Sequence, residues 1–251
     1  MHRRSLLAAG AAVLGTAPPA LAPRRSAAQP AGEPVDVLLV LAVDVSRSID
    51  DDEARLQREG YRSAVSDPQV VEAIRGGMIG AIGLAYVEWA GAEYQRLVLP
   101  WTRIGNAPDA HAWSEKLAEA PRASLSWTSI SGGLDFSRTV LAQAPFEATR
   151  RVVDVSGDGV NNSGGPVELA RDRLVAEGVT INGLPIVNDR PTFGRMPPIP
   201  LDDYYRDSVI GGTGAFVIVA EDFQSFGQAV KRKLIREIAS IPATAEAQAQ
   251  G

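Results

Sequence analysis

The feature that most constrains the fold is the uninterrupted aliphatic run from Val37 to Val43, which lies between Asp36 and Asp44. A strand with one face in water alternates apolar and polar residues, whereas a strand covered on both faces is apolar throughout. The run therefore predicts a central strand of an α/β sheet.

The next two extended segments, residues 79–90 and 95–101, are separated by a short connection. A crossover helix does not fit into so few residues, so the two segments predict an antiparallel hairpin at one edge of the sheet. Further strands are predicted at residues 151–156, 179–187 and 215–220.

Helix signals alternate with these strands. Asp50 and Glu53 have the spacing of a capping box, and Pro166 and Gly178 suit the first residue and the stop of a later helix. The last helix carries an apolar stripe from Phe223 to Ile241. This alternation predicts a three-layer, doubly wound and mostly parallel sheet with right-handed crossovers.

The N-terminus has the pattern of an export signal. Arg3 and Arg4 precede an apolar run, Leu6 to Leu14, that is shorter than a membrane span. We predict a signal peptide at residues 1–28, cleaved after Ala22 or Ala28. The twin-arginine route and the ordinary secretory route both fit it, and both predict a periplasmic or secreted protein. A flexible lead (29–34), one domain (35–241) and a disordered tail (242–251) would follow.

The charge and the composition exclude several classes of function. Removal of residues 1–28 takes away four arginines and no acidic residue, which changes the net charge from −5 to −9. Such a surface disfavours nucleic acid and anionic lipid, and no later apolar stretch is long enough to span a bilayer. The chain has no cysteine and only two histidines, His2 and His111. A metal ion would therefore be held by oxygen atoms or by one of these scarce imidazoles.

Three polar segments follow predicted strands or open a predicted helix: Asp44–Ser48, Thr128–Gly133 and Ser156–Gly159. Each alone has an ordinary explanation as a helix cap or a turn. Because functional groups in such sheets gather at the carboxyl ends of the strands, the three segments are expected to converge. Hydroxyl and carboxylate donors suit Mg²⁺ or Mn²⁺, with Ca²⁺ less favoured. An open coordination position would accept an acidic side chain from a partner protein.

The ordered set Asp44, Ser46, Ser48, Thr128 and Asp158 resembles the metal-ion-dependent adhesion site of von Willebrand factor A domains. The resemblance covers about residues 35–240 and implies a Rossmann-like, six-stranded sheet with one antiparallel edge strand. It also implies that the three hydroxyls coordinate the ion directly, and that the two aspartates do so directly or through water.

Other stretches are similar to a narrower group, the exported bacterial family called domain of unknown function 1194. That resemblance implies no established activity. The stretches are Leu41–Ser46, Gln57–Tyr61, Tyr86–Trp89, Asp154–Gly159, Thr180–Ile186 and Tyr204–Asp207.

Several further residues are assigned provisional roles. Possible partner contacts are Glu88 and Trp89, near the end of a strand, and Tyr204 and Tyr205, in the long connection 188–208; packing inside the domain is the alternative for all four. Asp154, inside an apolar strand, needs a buried partner. We also expect His111 to be an exposed helix residue and Asn161–Ser163 to form a loop near the metal site.

Together these patterns predict a non-enzymatic, metal-dependent protein-binding module. One alternative is a metal-dependent hydrolase or phosphatase that uses the same carboxylates. Haloacid-dehalogenase-type phosphatases need a second aspartate where Ser46 stands, which weighs against it. The other alternative is a structural assembly component with no bound metal.

Overall fold

The computed structural model describes residues 32–123, 125–187 and 199–239. The predicted signal peptide, residues 29–31 of the lead, the tail and the first part of the 188–208 connection lie outside these ranges.

The main sheet is built around the predicted central strand, β2 (Val37–Asp44), in which every residue is buried. It pairs in parallel with β3 (Ile82–Trp89) on one side and with β6 (Arg150–Gly157) on the other. The outer strands are β7 (Thr180–Pro185), parallel to β6, and β4 (Gln95–Ile104), antiparallel to β3. The mostly parallel sheet and its edge hairpin are therefore confirmed.

The prediction of six strands is wrong, because the main sheet has five strands in the order β4-β3-β2-β6-β7. Residues 215–220 run beside β7 but form only two isolated bridges, Gly183–Val217 and Ile186–Ala220. Between these bridges lies Pro185, which has no backbone N–H to donate. The hydrogen-bond ladder is interrupted at that point.

Two short strands, two helices and a π-helical turn were not predicted. Strands β1 (Glu33–Pro34) and β5 (Phe146–Glu147) form a separate parallel pair. Helix α2 spans Pro68–Arg75, and helix α6 (Leu201–Tyr204) and the π-helical turn Tyr205–Val209 lie where a long connection was expected. The remaining helices are α1 (Asp51–Val65), α3 (Ala107–Glu119), α4 (Ile130–Ala142), α5 (Val167–Ala176) and α7 (Phe226–Ala239).

The helices cover both faces of the sheet, which confirms the three layers. One apolar core lies between the sheet and α1, α2, α3 and α7. The other lies between the sheet and α4, α5 and the π-helical turn. No helix within the described ranges has the length and apolar character needed to cross a bilayer.

Local signals at the helix ends act largely as predicted. The Asp50 side chain accepts the N–H groups of Asp52 and Glu53, and the Glu53 side chain accepts the N–H of Asp50, which completes the capping box. Pro166 has extended backbone angles and precedes α5, so this helix begins one residue later than predicted. Gly178 follows its end in the left-handed region at φ 76°.

A buried ionic cluster joins β6 to α7. Lys233 Nζ lies 2.5 Å from an Asp154 carboxylate oxygen and 2.7 Å from Glu237 Oε1. Asn182 Nδ2 donates to the same Glu237 oxygen at 2.8 Å. Burial raises the pKa of Asp154 to about 7, against the lowering effect of Lys233. Asp154 thus has the partner that its apolar strand required, and that partner comes from the last helix.

Candidate metal centre

Asp44, the last residue of β2, is the innermost member of the candidate site and is completely buried. Its Oδ1 accepts the backbone N–H of Ser46 at 2.7 Å, and its carbonyl accepts the Gln57 amide at 3.2 Å. Its other oxygen, Oδ2, is buried and has no hydrogen-bond partner among the residues the structure describes. One carboxylate oxygen is thus fixed by the turn, and the other stays available.

The two serines connect Asp44 to Asp158, which follows β6. The hydroxyls of Ser46 and Ser48 lie 3.0 Å apart, and the Ser48 hydroxyl donates to Asp158 Oδ1 at 2.7 Å. Ser46 and Asp158 are buried, whereas Ser48 is exposed. Two of the three polar segments therefore converge, as the sequence predicted.

Thr128 belongs to the third segment and lies at the same edge of the sheet. Leu125, in its loop, forms a backbone bridge with Ser46, and the Ser129 N–H donates to the Ala90 carbonyl at 2.7 Å. Gly159 directly follows Asp158, and a Cβ added to Gly159 would lie 3.7 Å from the Thr128 hydroxyl. The loop before α4 thus brings Thr128 to the loop after β6.

Two asparagines join these loops. Asn162 Oδ1 accepts the Thr128 N–H at 2.8 Å, and Asn161 Oδ1 accepts the Ser131 N–H at 3.0 Å. The Thr128 carbonyl accepts the backbone N–H groups of Asn162 and Ser163. The structure thus places Asn161–Ser163 beside the candidate site, as expected, where they fix the position of Thr128.

The electrostatics of this cluster favour a cation. Burial raises the pKa of Asp44 well above its usual range, the negative charge of Asp158 raises it further, and hydrogen bonds from Ser46 act in the opposite direction. A cation between the two carboxylates would remove their repulsion and give Asp44 Oδ2 a partner. Hydroxyl and carboxylate oxygens also match the preference of small hard cations. The residues therefore fit a divalent ion.

This donor set differs from a carboxylate- or imidazole-rich metal site. In the described part of the chain, no group of three or more Asp, Glu or His side chains is arranged to hold a metal. The candidate site offers two carboxylates, and its other donors are hydroxyls. His111 lies on α3, and its side chain is exposed as expected.

Glu88 and Trp89 do not form a partner surface. Glu88 is buried and paired with Arg58 at 2.6 Å; burial raises its pKa, and Arg58 acts against that shift. Trp89 is completely buried beneath α4, where a Cβ on Gly133 would lie 2.8 Å from its ring. Because β3 has a strand on either side and helices on both faces, the prediction of partner contact is wrong for both residues.

The two tyrosines also pack inside the domain. The Tyr204 hydroxyl, on a half-buried ring, accepts the Asn161 N–H at 3.2 Å. Tyr205 is completely buried, so it presents no surface to a partner. Its hydroxyl instead lies next to Gly157, at the candidate site.

Trp127, immediately before Thr128, was missed in the sequence. Its side chain is exposed (52%), and its φ of 72° is a left-handed conformation that is rare for a bulky residue. Strained conformations of this kind often occur at functional sites. The only sequence signal was a tryptophan beside the polar Thr128 segment.

The fold is similar to that of von Willebrand factor A domains. Proximal thread matrix protein 1 from the mussel byssus matches with a TM-score of 0.58 and 16% identity, over 84% of this chain and 49% of that one. A von Willebrand factor type A structure from Catenulispora acidiphila matches with a TM-score of 0.57 and 15% identity, over 82% of this chain and 43% of that one. The pilus adhesin SpaC from Lactobacillus rhamnosus GG matches with a TM-score of 0.58 and 13% identity, over 83% of this chain and 31% of that one.

This chain thus spans less than half the length of those three chains, and at such identities the likeness shows the fold alone. Another structure of the mussel protein, which matches with a TM-score of 0.57, is described as having a zinc-occupied metal-ion-dependent adhesion site (MIDAS) motif. The chain belongs to the family "Protein of unknown function (DUF1194)", which matches residues 34–242. A comparison with curated proteins gave no match.

Proposed function

We propose that this protein is a metal-dependent protein-binding module. Asp44, Ser46, Ser48, Thr128 and Asp158 would hold Mg²⁺ or Mn²⁺, and a partner protein would supply an acidic side chain to the ion. The observation that carries the proposal is the buried Oδ2 of Asp44, which has no hydrogen-bond partner in the described part of the chain and lies within a cluster of hydroxyls and a second carboxylate.

The chemistry follows from the number of donors. Three hydroxyls and two carboxylates supply five of the positions of an octahedral cation such as Mg²⁺, which leaves a position open for a carboxylate from a partner. The chain's own residues fix the geometry: the Ser46 N–H orients Asp44, and Asn162 anchors Thr128. A preorganised site of this kind loses little conformational entropy when the ion binds.

The exposed residues around the cluster indicate where a partner would meet it. Ser48 and Arg47 are exposed on the loop after β2, and Trp127 is exposed before Thr128. Arg47 adds a positive charge that complements an acidic partner, and tryptophan is enriched at binding hot spots. A protein segment with an acidic group beside an apolar side chain suits this surface.

We favour binding over catalysis. Similar folds occur in a matrix protein and a pilus adhesin. The one histidine within the described ranges, His111, is exposed on α3 and is not part of the cluster. An exported location, proposed from residues 1–28, would give such a module access to partners outside the cytoplasm.

Isothermal titration calorimetry of Mg²⁺ and Mn²⁺ tests the site. The wild type should bind one ion, Asp44→Ala should lose binding, and Asp172→Ala, at an exposed acid of α5, should bind like the wild type. Equal heats from the wild type and Asp44→Ala would rule the site out.

The partner is tested by affinity capture from periplasmic extract with Mg²⁺ or with EDTA. A protein retained only with Mg²⁺, and lost with Asp44→Ala, supports the proposal. Turnover of a phosphoester panel that disappears in Asp44→Ala would instead favour the hydrolase alternative.

A further inference from the structure

Tyr205 reaches the candidate metal centre from the α4–α5 face of the sheet. It opens the π-helical turn Tyr205–Val209, which packs beside β7 and α5. Its ring is completely buried in the core on the α4–α5 face. Helical bulges of this type occur frequently at functional sites, and here the turn directs a phenol toward the carboxyl end of β2.

Two strand glycines make room for this side chain. A Cβ on Gly183 of β7 would lie 2.8 Å from the Tyr205 ring, and a Cβ on Gly157 of β6 would lie 2.9 Å from its hydroxyl. Distances below 3.0 Å are too short for a real Cβ contact. Glycine within a strand often marks such a close approach. Any larger residue at Gly157 or Gly183 would collide with the tyrosine.

The Tyr205 hydroxyl and Asp44 Oδ2 face the same point. Each lies 2.9 Å from the Cβ position of Gly157, so the two oxygens are at most twice that distance apart. Both atoms are buried, and neither has a hydrogen-bond partner among the described residues. A buried donor and a buried acceptor within this distance can be joined by one bridging water molecule.

We propose that Tyr205 is a positioning residue of the metal centre, whose hydroxyl donates to Asp44 Oδ2 through one bridging water molecule. The Ser46 N–H would then hold one carboxylate oxygen and Tyr205 the other, which fixes the carboxylate plane. This inference rests on the proposed function. Partners that orient a metal ligand typically contribute about 10–100-fold to metal affinity.

The neighbouring residue holds this segment in place. The Tyr204 hydroxyl accepts the Asn161 N–H, and Asn161 also accepts the Ser131 N–H. The Tyr204 and Tyr205 rings meet edge to face at 6.3 Å. The turn is thus attached to the loop after β6 as well as to the sheet. These attachments hold the Tyr205 hydroxyl in its position next to Gly157.

The test uses Tyr205→Phe, which keeps the ring and removes the hydroxyl. Calorimetric titration with Mg²⁺ should give a Kd at least tenfold weaker than that of the wild type. The matched control is Tyr86→Phe, another buried tyrosine, which lies in the core on the opposite face and should leave the Kd within twofold. A Tyr205→Phe protein that binds Mg²⁺ within twofold of the wild type overturns the inference and leaves the proposed function intact.

A second measurement tests the hydrogen bond without metal. Urea unfolding midpoints in EDTA are compared for the wild type, Tyr205→Phe, Asp44→Ala and the double variant. Tyr205→Phe should lower the midpoint in the wild-type background and not in the Asp44→Ala background. An equal decrease in both backgrounds overturns the inference. Absence of Mg²⁺ binding by the wild type would instead refute the proposed function, and the metal-positioning role with it.

Discussion

Replacement of Lys233 by methionine should strongly destabilise the protein. The Lys233 side chain is completely buried, and its ammonium group is 2.5 Å from Asp154 and 2.7 Å from Glu237. Methionine fills a similar volume without charge, so the substitution leaves two buried carboxylates without their cation. Removal of one partner from a buried ion pair costs about 3–5 kcal/mol, because the remaining charge is uncompensated.

The matched control lies on the same helix. Lys231 pairs with Asp67 at 2.8 Å, with both side chains partly exposed. Partly exposed pairs of this kind contribute about 0–1 kcal/mol, so Lys231→Met should be much milder. For a domain of this size, 1 kcal/mol shifts the melting temperature by about 2–4 °C. Lys233→Met should therefore lower it by roughly 6–20 °C, and Lys231→Met by at most about 4 °C.

The assays are thermal unfolding and urea unfolding in EDTA, both followed by circular dichroism at pH 8 and pH 5. The cost of Lys233→Met should be larger at pH 8, above the raised pKa of Asp154, where the Asp154 carboxylate is charged. The cost should be smaller at pH 5, where protonation of Asp154 removes that uncompensated buried charge. Equal effects of the two lysine variants would refute the account of this cluster. So would a cost of Lys233→Met that does not change with pH.

Further predictions concern Asp154, Gly157 and Asp50. The pKa of Asp154 is raised to about 7 in the folded protein, so its contribution to stability is full below its ordinary pKa and is lost as the pH rises toward 7. The unfolding free energy of the wild type relative to Asp154→Asn should fall between pH 4 and 7; a constant difference would contradict this. Gly157→Ala would place a Cβ 2.9 Å from both Asp44 Oδ2 and the Tyr205 hydroxyl, so calorimetry should show lost Mg²⁺ binding and urea unfolding a cost of about 1–3 kcal/mol. Asp50→Ala removes the cap of α1 and should cost about 1 kcal/mol in urea unfolding, with Mg²⁺ affinity unchanged.

The sequence predicted the features whose cause is local. The all-apolar run Val37–Val43 identified a strand covered on both faces, and the acids around Asp50 identified the start of α1. The meeting of Asp44, Ser46, Ser48 and Asp158 followed from one rule, because parallel strands present their carboxyl ends at the same edge. Pro185 was visible in the sequence as well, and its missing N–H explains why residues 215–220 do not form a full sixth strand.

Features that depend on long-range packing could not be predicted in the same way. Asp154 needed a partner, but the choice of Lys233 depends on how α7 lies over the sheet. Tyr205 resembled an exposed hot-spot residue in a long loop, and only the π-helical turn and Gly183 show why its ring is buried. Glu88 was expected near the site, and its ion pair with Arg58 depends on the position of α1.

The most direct measurement of the central claim is a crystal structure grown with Mn²⁺, with the ion located by its anomalous scattering. The account predicts one strong peak at the carboxyl end of β2, within coordination distance, directly or through water, of Asp44, Ser46, Ser48, Thr128 and Asp158. A fully ordered cluster without a peak at saturating Mn²⁺, or a peak held by other residues, would contradict it.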